Sequence, residues 1–304
     1  MGVLRGLLIL AFLAVNTIVW ATVTMFMAII RFSVAQEAWR ARWGRRMNLI
    51  IDSWLGGNQL LFRLLGTMRL EIHGGEDLSR DGWYLVISNH QGWSDIFILQ
   101  AVYGRILPPL KFFMKRELLW RLPLLGAACY ALDFPFMRRY SREFLEKHPE
   151  LRGQDLDTAR QRCERFRPNP TAILIFVEGT RFTSEKHLAQ NSPYRHLLRP
   201  RAGGIGFVLG AMGDQLHGLV DTTIVYPQGA PTFWEFICGR HQEIRVDIEH
   251  TPLAEALTSG DYERDPDHRA RVRDWLDGLW QRKDARIETL LRPPDSSTVP
   301  RDDG

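Results

Sequence analysis

Apolar and polar positions divide the chain into stretches of different character. Residues 7–30 read LLILAFLAVNTIVWATVTMFMAII, 24 positions without a charge. As a helix rising ~1.5 Å per residue this stretch reaches roughly 36 Å, enough for a ~30 Å hydrocarbon core. A cleaved secretory signal would have an apolar region of only ~7–15 residues followed by a small-x-small cleavage site. The segment is longer and has no such site, so its length favours a retained membrane helix. In residues 47–65, Asn48, Asp52, Gln59 and Arg63 fall within ~60° of one another on a helical wheel. The rest of that circumference carries Leu49, Ile50, Ile51, Trp54, Leu55, Leu60, Leu61, Leu64 and Leu65. Such a helix suits a membrane interface; the alternative is an ordinary helix packed on a domain. Gly56 and Gly57 weaken both.

From about residue 68 short β-rich runs alternate with helical stretches. The runs are 68–72, 83–88, 110–114, 172–177, 220–226 and 243–248; the helices lie near 95–102, 116–130, 155–166 and 206–212. This alternation predicts an α/β fold, a mixed, largely parallel sheet flanked by helices. Residues 267–291 form a further helix with Val272, Trp275, Leu276, Leu279 and Trp280 on its packing side. The expected organisation is an N-terminal transmembrane helix and membrane-facing amphipathic helix (1–66), a folded domain (67–292) and a disordered polar tail (293–304).

Composition narrows the classes. With 45% hydrophobic and 24% charged residues among 304, the chain is neither disordered nor fibrous overall. A single long apolar stretch excludes a polytopic transporter. The net charge of +4 comes from arginine: lysine occurs only at 111, 115, 147, 186 and 283, leaving 34 of the 39 basic residues as arginine. Codon bias and phosphate recognition both account for this. Arg5 precedes the apolar span, whereas Arg31, Arg40, Arg42, Arg45 and Arg46 follow it against Glu37 alone. The positive-inside rule therefore places the domain on the cytoplasmic face, at the inner membrane in a bacterial cell. Cys129, Cys163 and Cys238 are far apart, with neither metal-ligand spacing nor an even disulfide set, which fits a reducing compartment.

Two runs carry chemistry. In residues 84–99, YLVISNHQGWSDIFIL, an apolar strand ends at Asn89-His90 and a helix begins near Ser94-Asp95. His90 and Asp95 therefore flank one strand-to-helix turn, where open α/β sheets bind ligands. A carboxylate beside an imidazole fixes its tautomer and makes it a better base for an alcohol; the plainer reading is a structural turn histidine. In residues 172–183, AILIFVEGTRFT, a second buried strand ends in a charged turn. There Arg181 can fork onto a phosphate, Glu178 can orient it or bind a substrate hydroxyl, Gly179 allows close backbone approach and Thr180 offers a hydroxyl. A surface ion pair is the plainer reading.

In this order the two runs, Asn-His-Gln-x-Trp-x-Asp and Phe-x-Glu-Gly-Thr-Arg, resemble the lysophospholipid acyltransferase family, whose best-known branch acts on 1-acylglycerol-3-phosphate. FPFMRR at 134–139 is similar to its second block, which ends in a phosphate-contacting arginine, here Arg138 or, by preference, Arg139. TIVYP at 223–227 is similar to the fourth, and Arg201-Ala-Gly203-Gly204 lies where the family often has a basic residue and a glycine before a helix. The family most often has proline where Val177 stands, and 140–170 is longer than in its shortest members.

The resemblance implies a glycerol-phosphate acyltransferase-like fold. It also implies transfer of a fatty acyl group from a thioester, acyl-CoA or acyl carrier protein, to the 2-hydroxyl of a lysophospholipid, most readily lysophosphatidic acid to give phosphatidic acid. His90 and Asp95 would be catalytic; Arg139, Glu178, Gly179, Thr180 and Arg181 would bind substrate. The oxyanion would be held by a backbone amide near the Gly179 turn or the helix from Ser94. No metal, cofactor or nucleic acid is implied. The partners are the two substrates, the bilayer and, where it rather than acyl-CoA is the donor, an acyl carrier protein. A different head group, a thioesterase-type hydrolase using the same His–Asp pair, and a non-catalytic lipid-binding protein are the alternatives.

Overall fold

The computed structural model describes residues 2–115, 117–121, 123–137, 167, 169–262 and 264–292. The helix expected near 155–166 and the tail 293–304 lie outside them. The chain opens with two long helices, α1 (Gly2–Phe32) and α2 (Glu37–Leu64). The remaining strands are β1 (Arg69–His73), β2 (Tyr84–Ser88), β3 (Leu110–Phe112), β4 (Met114–Lys115), β5 (Phe136–Met137), β6 (Ala172–Phe176), β7 (Gly218–Val225) and β8 (Glu243–Thr251). Between and after them lie α3 (Ser94–Tyr103), α4 (Leu118–Arg121), α5 (Pro123–Ala131), α6 (Ser184–Ala189), α7 (Gly203–Met212), α8 (Phe233–Ile237), α9 (Glu255–Thr258) and α10 (Pro266–Leu291).

Six strands form one sheet in the order β1-β8-β7-β2-β6-β3, with β7–β8 antiparallel and every other pair parallel; β4 and β5 pair separately. The sheet is thus mixed and largely parallel. The central strand β2 is buried along its whole length, and the pleat sends alternate side chains to opposite faces. Leu85 and Ile87 pack toward Ile205, Val208, Val272, Leu276 and Trp280 from α7 and α10. Tyr84 and Val86 pack toward Ile98, Leu99, Val102 and Tyr103 of α3. The single helix expected over 116–130 is two helices instead. Pro123 opens α5, a position where its missing N–H costs nothing.

The N-terminal helices pair antiparallel. Asn16 of α1 donates to Trp54 O (3.0 Å) and Asn58 Oδ1 (2.8 Å) of α2. A Cβ at Gly57 would come within 3.2 Å of the Asn16 amide, so Gly57 allows this crossing. The inner face of α1 buries Gly6, Ile9, Leu13, Ala21, Thr24, Ala28 and Arg31, spaced mostly by three and four. Among the described residues α1 is the helix long and apolar enough to cross a membrane. It lies along the domain at both ends. Gly6 sits against Cys238 and Trp234, and Arg31 pairs with Asp133 (2.7 Å) and donates to Ala131 O (2.8 Å).

For part of its apolar surface α2 follows the alternative reading, a helix packed on the domain. Met47, Ile50, Ile51, Leu55 and Phe62 are buried in the core. Two residues of the polar stripe bond protein, Asp52 pairing with Arg80 at 2.7 Å and Gln59 donating to Gln100 O at 2.7 Å, while Arg63 is exposed. The exposed large hydrophobic residues of α2 are Leu49, Leu60 and Leu64, and α1 adds a broad apolar face that includes Leu4, Leu7, Val15, Ile18, Phe26 and Ile29.

Candidate active site

Because β2, β6 and β7 run parallel, their carboxyl ends come to one edge of the sheet. Ser88 sits opposite Phe176 and Thr222. The two sequence runs therefore meet in space. Asn89 clamps the neighbouring strand, donating to Ile224 O (2.8 Å) and accepting from Ile224 N (2.9 Å).

His90 and Asp95 lie as expected on the turn into α3. His90 Nδ1 is 2.8 Å from Asp95 Oδ2. The same oxygen accepts the backbone amides of Gln91 (2.6 Å) and Gly92 (2.9 Å). Asp95 is wholly buried, whereas the His90 side chain is 16% exposed. A carboxylate cannot donate, so Nδ1 carries the proton toward Asp95 and Nε2 is left without that proton, able to accept one. The ring is also stacked on Phe176 at 4.0 Å and 17°, which fixes its plane.

Asp95 Oδ1 accepts the hydroxyl of Tyr226 at 2.5 Å, and Ser94 Oγ is 2.9 Å from that hydroxyl. Burial and the nearby Asp95 charge push the Tyr226 phenol well above its ordinary value, so it stays a donor. Its role escaped the sequence reading because 131 residues separate Tyr226 from Asp95.

Glu178 does not face a substrate hydroxyl or Arg181. It is 1% exposed. Its Oε1 accepts the His90 amide (3.0 Å) and its Oε2 the Leu198 amide (3.2 Å). Burial pushes its carboxyl up to about 8, against these two amides, which pull it down. Buried Lys283 of α10, close enough to lower Glu178 further, bonds Asp221 (2.5 Å), Thr222 O (2.7 Å) and Thr223 Oγ1 (3.0 Å).

The turn after Glu178 is a cationic rim. Gly179 has φ +69, the left-handed region that glycine enters without cost. A Cβ there would lie 3.2 Å from Arg201 Cδ. The exposed Arg181 guanidinium lies 5.2 Å from the centre of the Trp93 ring and has no ion-pair partner among the described residues. Lys186 donates to Thr180 Oγ1 (2.8 Å) and Arg181 O (3.0 Å), adding a second cation that the sequence reading missed. Arg201 borders an open cavity of about 600 Å³ with Arg199, Tyr262 and Arg273. Arg139, and Arg138 beside it, lie outside the described residues.

Some of the amides near the expected oxyanion site are already engaged. Gly179 donates to Phe176 O (2.9 Å), and the amides opening the α3 turn serve Asp95. Burial pushes the Cys129 thiol up to about 12, which keeps it protonated. The arrangement is that of a general-base site: an oriented, partly exposed imidazole with the Arg181 guanidinium near its turn.

Comparison with known proteins agrees with this class. The acyltransferase family profile matches residues 69–226, more than half of the chain. The chain belongs to the acyltransferase family. It is 26% identical over 237 residues to the 1-acyl-sn-glycerol-3-phosphate acyltransferase delta of Bos taurus, covering 71% of this chain and 56% of that one. With 1-acyl-sn-glycerol-3-phosphate acyltransferase 3 of Arabidopsis thaliana the identity is 26% over 219 residues, covering 67% and 52%. The chain spans about half the length of these relatives. Among solved structures, the 1-acyl-sn-glycerophosphate (LPA) acyltransferase PlsC of Thermotoga maritima shares the fold. Its TM-score is 0.55 at 15% identity, over 95% of this chain and 98% of that one.

Proposed function

We propose that the protein transfers a fatty acyl group from a thioester donor to the 2-hydroxyl of lysophosphatidic acid, giving phosphatidic acid. The observation that carries this reading is the His90–Asp95 pair on the same turn as Trp93, over which lies the Arg181 guanidinium, without an ion-pair partner among the described residues. His90 Nε2 takes the proton of the acceptor hydroxyl, and Asp95 stabilises the imidazolium. The acceptor oxygen forms a bond to the thioester carbonyl carbon, the carbon–sulfur bond breaks, and the departing thiolate receives the proton back. Base catalysis of this kind supplies ~10²–10⁴ in rate; holding the two substrates in line supplies much of the rest.

Arg181 and Lys186 bind the acceptor phosphate as its two charges come out of water; the planar fork of Arg181 suits two phosphate oxygens. A thioesterase would need only the His–Asp pair and gains nothing from this rim. The names of the acyltransferase relatives support the same acceptor. The exposed apolar face of α1, with Leu49, Leu60 and Leu64 of α2, lies in the lipid surface and holds the site where a lysolipid resides.

The test offers the full-length protein a panel of lysolipids with acyl-CoA and acyl carrier protein donors, with products identified by mass. Phosphatidic acid as the dominant product supports the proposal. Free fatty acid alone, or acylation of lysolipids indifferent to the terminal phosphate, contradicts it.

A further inference from the structure

We propose that Tyr226 is a positioning residue for acyl transfer, its hydroxyl fixing the Asp95 carboxylate in the orientation that makes His90 a base. The inference rests on the acyltransferase reading above and adds to it a residue outside the His90–Asp95 turn. The three donors on Asp95 Oδ2 come from residues 90–92, within five positions of Asp95 itself. They pin one oxygen and leave the carboxylate free to pivot about it. The donor on the other oxygen is Tyr226, which reaches Oδ1 from the end of β7. Tyr226 directly follows β7, at the sheet edge where Asp95 lies. The Tyr226 side chain is itself buried in the core and cannot swing away.

The protons can be followed along the chain. The Tyr226 O–H donates to Asp95 Oδ1, so at 2.9 Å Ser94 Oγ donates to the phenolic oxygen. Ser94 thus polarises Tyr226, Tyr226 holds Asp95, and Asp95 orients His90. Such chains strengthen each member. The charged or titratable groups facing Asp95 are His90 from its own turn, Tyr226 from the end of β7 and Glu178 from the end of β6. A phenol that merely satisfied a buried carboxylate would affect folding stability but not the pH dependence of turnover.

The test is steady-state kinetics of full-length Tyr226→Phe across pH, with melting temperatures and with His90→Ala beside it. A hydrogen bond to a charged group is lost, so kcat falls ~10–100-fold while both KM values stay within about threefold. With one donor fewer, the Asp95 charge is more concentrated and favours protonated His90, so the acid limb of the kcat profile moves to higher pH. Ser94→Ala, which keeps the phenol, shifts the limb less and in the same direction, and serves if Tyr226→Phe does not fold. Wild-type kcat and an unmoved limb in folded variants overturn the proposal while the acyltransferase reading stands. A wild-type protein without transferase activity, or an active His90→Ala, overturns both.

Discussion

Glu178 Oε1 accepts the backbone amide of His90 at 3.0 Å. One buried carboxylate thereby ties the turn after β6 to the turn after β2, joining the two runs that stand 88 residues apart. Its other oxygen holds Leu198, so the glutamate anchors the loop that leads to Arg201 as well. Glu178 is buried behind the turn that carries Arg181 and Lys186.

This location makes stability depend on pH. The Glu178 carboxyl is raised from 4.5 to about 8, mainly by burial. A raised carboxyl favours folding in its protonated form. Its contribution is complete below the unfolded value and is lost as pH rises through the folded value. Between about pH 5 and about pH 9 the wild-type melting temperature should fall relative to that of Glu178→Gln, which cannot ionise. Calorimetry across that range checks this; parallel curves for the two proteins would contradict it.

Arg181 should act on one substrate. Its guanidinium rests over Trp93 without an ion-pair partner among the described residues, so it is free to take a phosphate. Arg181→Ala should raise the acceptor KM ~10-fold or more and leave the donor KM within about twofold, the loss expected for a charge-assisted bond. A selective rise in donor KM would assign Arg181 to the phosphates of the thioester carrier.

Membrane attachment should reside in the outer face of the helix pair. Deleting α1 would remove Ile9 and Leu13 from the core, so point changes are the cleaner test. Leu7, Val15 and Ile29 are all more than half exposed. Replacing these three with glutamate should shift the protein from the floating to the soluble fraction with anionic vesicles, with little change in melting temperature, since charge in the apolar interface is disfavoured. Unchanged flotation would mean that some other surface makes the attachment.

The elements were legible where periodicity was local. The strand expected at 172–177 is β6 (Ala172–Phe176), and the helix expected at 267–291 is α10 (Pro266–Leu291), capped by Asp265. The His90–Asp95 pair was legible because both residues flank one turn. Contacts set by the pairing of distant strands were hidden. Nothing near Tyr226 or Glu178 in the chain shows that parallel β2, β6 and β7 bring both to the His90 turn. The apolar surface of α2 left two readings open for a related reason: burial against protein and exposure to lipid leave the same hydrophobic pattern. Lys283, a fully buried cation on a helix read as apolar on its packing side, depends on Asp221 across the fold.

The central claim is that the imidazole of His90, oriented by Asp95, takes the proton of a lysophospholipid hydroxyl. The most direct measurement is phosphatidic acid formation from lysophosphatidic acid and acyl-CoA by purified wild-type, His90→Ala and Asp95→Asn proteins of matched melting temperature. The account predicts turnover by wild type, none detectable in His90→Ala, and a loss of ~10²-fold or more in Asp95→Asn, in line with the removal of a general base and of its orienting partner. Turnover by folded His90→Ala near the wild-type rate would contradict it.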